Sequence, residues 1–125
     1  MPGSRIDGGV QDFKKLRVWH ESIDLAARVY TATARLPAAE RYGLTAQMGS
    51  AAVSVSSNIA EGTGRSSGPD MARFLQIAIG SASELESQIV VATHLKLLGD
   101  VDPLLDQVDK VRRQIIRLKA NVERT

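Results

Sequence analysis

The sequence predicts an all-α protein, an antiparallel up-down-up-down four-helix bundle. Three observations lead there. No Asn-Gly hairpin turn occurs in the 125 residues. Pro and Gly gather instead at three points, Pro37, residues 62–69 and residues 99–103, and cut the chain into four segments. Each segment carries apolar residues at helical spacing, and the short connections make sequential helices antiparallel neighbours.

The first helix is expected over residues 15–36. Leu16, Trp19, Ile23, Ala26, Tyr30 and Thr33 form one stripe, and Val18, Ser22, Leu25, Val29, Ala32 and Leu36 form an adjacent one. A face this broad calls for more than one neighbouring helix. Arg17, Glu21, Asp24, Arg28 and Arg35 take the opposite side. The second helix is expected over residues 38–61, with a kink at Gly43 or Gly49. It is rich in Ala, Ser and Gly and carries no charge from Tyr42 to Ala60. That places it inside the bundle or beneath another subunit.

The third helix opens at Ser67-Gly68-Pro69-Asp70. Ser67 or Gly68 is the N-cap, Pro69 is pre-set for the first turn and Asp70 complements the dipole. It is expected to run to Leu98, stop at Gly99 and be buried on more than one side. In the fourth helix Asp102 is the expected N-cap, followed by Pro103. Leu104, Val108, Val111, Ile115, Leu118 and Val122 step by four and three, the seam of near-parallel packing. Lys110, Arg113, Arg117 and Arg124 form an outer stripe.

Composition narrows the function classes. The chain is 43% hydrophobic and 24% charged, a globular balance. It lacks cysteine, which excludes a disulfide framework, a zinc finger and a thiol nucleophile. Residues 1–12 lack the apolar core of a signal peptide and read as a flexible lead before a single domain of residues 13–125. The uncharged stretch from Tyr42 contains Gln47, Ser50, Ser54, Ser56, Ser57 and Asn58, too many polar groups for a membrane span. A cytoplasmic protein without a membrane partner is expected.

Catalytic patterns are missing. Neither His20 nor His94 follows a glutamate at the spacing of di-iron bundles. Glu84 and Glu86 point apart on a helix. Asn58 and Glu61 can make a local polar contact that closes the second helix. The GTGRSSG connection can offer backbone donors to an anion, but it lacks the Gly-Lys-Ser/Thr of a nucleotide loop. No nucleophile elbow occurs. We expect no enzyme, no cofactor, no metal and no small-molecule substrate.

The charges are polarised. Lys and Arg number 16 against 14 Asp and Glu. The predicted topology brings Lys14, Lys15, Arg17, Arg65, Arg73, Arg117, Lys119 and Arg124 to one end, with only Asp12, Glu61, Asp70 and Glu123 as acids. The other end holds Asp100, Asp102, Asp106 and Glu40, offset by Arg35, Arg41 and Lys96. A basic end can bind phosphate backbones by counterion release. Equally, cations in the last turn of the fourth helix complement its dipole.

Four segments, FKKLRVWHESIDLAARVY, LPAAERYGLTAQM, AAVSVSSNIAEGTGRSS and FLQIAIGSASELESQI, carry a family resemblance. Over residues 13–98 the chain resembles bacterial four-helix bundles encoded by intervening sequences in large-subunit ribosomal RNA genes. It is distantly similar to diversity-generating retroelement accessory proteins, which resemble nucleic-acid-binding pentamers. The resemblance implies a ring-like homopentamer. Matching positions include Trp19, Tyr30, Gln47, Asn58, Glu61 and Glu84. Trp19 and Tyr30 read as core anchors with a polar handle, and Gln47, Asn58 and Glu84 as inter-helix or inter-subunit hydrogen-bonding groups. At Gly49 and Ser50 the chain lacks the basic pair usual in relatives, which leaves the basic end as the nucleic-acid candidate. Two functions compete: an oligomer that binds RNA or DNA through Lys14, Lys15, Arg17, Arg65, Arg73, Arg113, Arg117, Lys119 and Arg124, or an oligomeric protein-interaction scaffold.

Overall fold

The computed structural model describes residues 12–124, so the expected lead lies outside the described residues except for Asp12. Four helices follow in order: α1 Arg17–Thr33, α2 Leu44–Thr63, α3 Gly68–His94 and α4 Asp102–Glu123. Single 3-10 turns stand at Phe13–Lys15 and Ala38–Glu40, and no strand occurs among the described residues.

Cross-helix contacts give the direction of each element. Ser54 faces Ser81, their hydroxyls 2.8 Å apart, while Gly62 faces Met71 and Phe74. Rising numbers on α2 therefore meet falling numbers on α3. Glu21 accepts a hydrogen bond from Gln114, and Arg28 donates to Gln107, so α1 and α4 are antiparallel too. Arg112 of α4 meets Glu86 of α3, and the end of α4 meets the start of α3. Each helix touches its two neighbours around the bundle, and the diagonal pairs stay apart.

The core is the set of inward stripes. Leu25, Val29, Met48, Val55, Ile59, Leu75, Leu85, Ile89, Val108, Val111 and Ile115 are fully buried. Burying one such side chain is worth about 1.5–3 kcal/mol. The α4 seam lies on this core: Leu104, Val108, Val111 and Ile115 are buried and Leu118 and Val122 half-buried. On α1 the stripe of Val18, Ser22, Leu25 and Val29 is buried, but Ile23 and Tyr30 of the adjacent stripe are exposed. A bundle helix has two neighbours, and the stripe of Ile23 and Tyr30 rides at the edge of one contact.

Several boundaries differ from expectation. α1 ends at Thr33, and Arg35 and Leu36 continue as tight turns because Pro37 stops the helical ladder. α2 begins at Leu44. Gly43 is its N-cap and accepts from the Gln47 N–H, and α2 runs unbroken past Gly49. Ser67 is the N-cap of α3, accepting from the Asp70 N–H at 3.2 Å. α3 stops at His94, ahead of the expected Gly99. Lys96 has φ of 60°, the Leu97 N–H reaches Ala92 O, and the Lys96 N–H reaches Thr93 O. That is a Schellman ending with lysine where glycine is usual. In α4 the N-cap is Val101, not Asp102, and the Asp100 carboxylate accepts from the Asp102 N–H.

α2 and α3 are not buried all round. Val53, Ile77, Val91 and Leu95 are exposed on their outer faces. Two neighbours cover only part of a helix. The inner faces approach closely because they are lined by Ala51, Ala52, Ala78, Ala82 and Gly62. A Cβ on Gly62 would stand 3.0 Å from Phe74 Cβ and 3.2 Å from Met71 O, whereas one on Gly80 would meet nothing within 4 Å.

Gly80→Ala is expected to stabilise the fold by about 0.5–1 kcal/mol through helix propensity. Gly62→Ala is expected to destabilise it by about 1–3 kcal/mol through the clash. Urea unfolding of the two variants checks the opposite signs, and stabilisation by both would refute the close α2–α3 approach.

Candidate nucleic-acid interface

The antiparallel order carries the start of α1, the end of α2, the start of α3 and the end of α4 to one end of the bundle. The cations there fall into two groups. Arg17 pairs with Glu21 at 2.8 Å, Arg65 with Glu61 at 2.6 Å, Arg73 with Asp70 at 2.8 Å and Lys119 with Glu123 at 2.8 Å. Lys14, Lys15, Arg117 and Arg124 make no ion pair among the described residues. The Arg124 guanidinium donates to the neutral amide of Asn121. Arg113 lies further along α4 and pairs with Asp109 at 3.0 Å. The structure thus gathers all the expected basic residues except Arg113, and half of those gathered make no ion pair with a described residue. Exposed pairs are worth about 0.2–1 kcal/mol, so a phosphate can also compete for the paired arginines.

Rings are interleaved with these cations. The Arg65 and Arg73 guanidiniums lie 4.5 Å and 4.7 Å from the centroid of the half-buried Phe74 ring. Both arginines share Asp70, and Arg65 Nε, buried without a hydrogen bond, sits 3.8 Å from that carboxylate. Phe13 and Trp19 meet edge to face at 4.9 Å, with Lys14 Nζ 5.9 Å from the Phe13 ring. His20 Nε2 lies 2.6 Å from Lys14 O and ties the 3-10 turn to α1. Sequence reasoning missed Phe13, His20 and Phe74. The adjacency of Arg73 to Phe74 and of Phe13 to Lys14 was the available signal.

The other expected site residues fare differently. Trp19 is half-buried against the core, but Tyr30 is 57% exposed and is no core anchor. Its ring lies over Gly49, where a Cβ would stand 3.2 Å from the phenol oxygen. Asn58 donates to Ser54 O and Ser54 Oγ within α2, and Glu61 holds Arg65, so the expected Asn58–Glu61 contact is not made. Across the α2–α3 contact, Ser54 and Ser81 hydrogen-bond through their hydroxyls. Gln47 and Glu84 lie on the outer α2–α3 seam, where Glu84 accepts from Gln88 at 3.3 Å.

Two ionic networks lace the bundle side. Arg112 donates to Glu86 at 2.5 Å and to Asp109 at 3.0 Å. The Glu86 hydrogen bond raises its pKa, overcoming burial, with Asp109 adding to the rise. At Glu21 burial pushes the carboxyl up, but hydrogen bonds from Arg17 and Gln114 and the charges of Lys110 and Arg17 outweigh it. The net shift is downward. No group of three or more His, Asp or Glu side chains among the described residues could hold a metal ion. No helix among them is long and apolar enough to cross a membrane.

The sequence profile of the 23S rRNA-intervening sequence protein family matches residues 14–117. The chain belongs to that family. A crystal structure of a protein of unknown function from the S23 ribosomal protein family of Bacteroides thetaiotaomicron is similar in fold. It shares 19% identity and a TM-score of 0.75, over 82% of this chain and 97% of that one. No curated protein matches. Family membership agrees with the four helices and with the motifs that carry the resemblance.

Because the folded pKa of Glu21 lies below its ordinary 4.5, the carboxylate stabilises the fold above that pH and the contribution is lost as the pH falls through the folded value. Glu21→Gln is expected to cost about 0.5–1 kcal/mol at pH 7 and to flatten the acid limb of stability. Urea midpoints between about pH 3 and 7 check this, and an unchanged acid limb would contradict it.

Proposed function

We propose that this member of the intervening-sequence family is a non-enzymatic homo-oligomer, a ring-like homopentamer, that binds RNA or DNA phosphates through its basic end in the cytoplasm. The observation that carries the binding is the group of Lys14, Lys15, Arg117 and Arg124, unpaired among the described residues, beside arginines held by weak surface pairs. Assembly is supported by the uncharged outer face of α2, with Ala46, Gln47, Ser50, Val53 and Ser57, and by exposed Ile77, Val91 and Leu95 beside it. Repetition of a modest patch around a ring raises apparent affinity without new contacts.

The scaffold alternative draws on one specific observation. Arg113 and Lys119 are neutralised by Asp109 and Glu123 of their own helix. Arg117 and Arg124, without acidic partners among the described residues, separate the two readings.

Arg117→Glu with Arg124→Glu is expected to weaken nucleic-acid binding and leave helicity and assembly unchanged. Removing two phosphate contacts per chain in contact should lower the log–log salt slope by about 1.4 for single strands or 1.8 for duplex. Affinities measured across a salt series, with sedimentation of the free protein, provide the check. Unchanged binding at low salt would overturn the basic-end reading.

A further inference from the structure

We propose that the basic end selects single-stranded nucleic acid, lodging an unpaired base in the cleft between the start of α3 and the end of α4. The inference rests on the phosphate-binding reading and names the strand type. The cleft is open, about 490 Å³, between Pro69, Ala72 and Arg73 on one side and Lys119, Val122 and Glu123 on the other. Its floor is apolar, with Ala72 buried and Val122 half-buried. Its rim is ionic: Lys119 donates to Glu123, and Arg73 donates to Asp70. An apolar slot with a few charged groups at its mouth suits a flat heterocycle on a phosphate chain.

Arg73 supplies the stacking surface. Its guanidinium is held by Asp70 and lies over Phe74, yet the side chain is 62% exposed. A fixed, exposed, planar cation stacks on a base face and tolerates any sequence. In a duplex those faces are covered by neighbouring base pairs, and reaching the cleft would require unstacking a base. A single strand carries no such cost.

The test compares the full chain with oligothymidylate and oligouridylate of about 20 nucleotides and with a blunt duplex of the same length, at matched salt. Both single strands are expected to bind at least about tenfold more tightly than the duplex. Arg73→Lys keeps the charge and removes the plane. It is expected to lower single-strand affinity about fivefold or more and so to narrow the preference over the duplex. Equal binding of duplex and single strand, or an Arg73→Lys variant with full single-strand affinity, would overturn this inference and leave phosphate binding standing. Absence of binding to all three would overturn both.

Discussion

The close approach of α2 and α3 is the constraint on which the rest of the molecule depends. Alanines and Gly62 remove side-chain bulk from the contact, and Phe74 and Met71 fill the space that a Cβ on Gly62 would occupy. The Ser54–Ser81 hydrogen bond satisfies hydroxyls that would otherwise lie unpaired at the seam. With α3 capped by Ser67, only residues 64–67 separate the two helices. That tight reversal draws Arg65, Asp70 and Arg73 into one ring-lined cluster over Phe74. The same geometry presents the first turns of α3 to the last turns of α4, and the cleft at the basic end is the space left between them.

Charge follows topology. The chain carries a small net charge, yet antiparallel packing concentrates cations at one end and leaves several of them without counter-charges among the described residues. The pairs that do form there are local, mostly one turn apart on the same helix, and such pairs add little to stability. The better-buried ionic groups, Arg112 with Glu86 and Asp109, and Glu21 with Gln114 and Lys110, lie along the α3–α4 and α1–α4 seams, where they tie helices together. Ionic groups thus divide into those that fasten the bundle and those left available to a partner. That division underlies the proposal that the end is a binding surface, while the ionic groups of the side tie helices together.

Much of this was legible in the sequence. The α4 seam from Leu104 to Val122 reads correctly because its spacing repeats across the whole helix, and Ser67 reads as a cap because serine before Pro69 and Asp70 satisfies several rules at once. The end of α3 was not legible. Glycine is the usual sign of a left-handed residue, and here Lys96 takes that conformation three residues before Gly99. Tyr30 was misplaced because its stripe lies at the rim of a contact, where spacing alone does not separate edge from core. The basic end follows from topology and charge counting, whereas the Arg65–Phe74–Arg73 stack depends on how a turn closes in space. Family membership accounts for the fold and is silent on which of the outward surfaces is used.

The most direct test of the central claim is amide hydrogen exchange of the full chain with and without a bound single-stranded oligonucleotide. The account predicts that added protection concentrates in residues 13–20, 61–74 and 117–124, the segments that hold the four helix ends of the basic face. Protection confined to residues 28–35 and 98–104 at the opposite end, or to the outer face of α2, would contradict it.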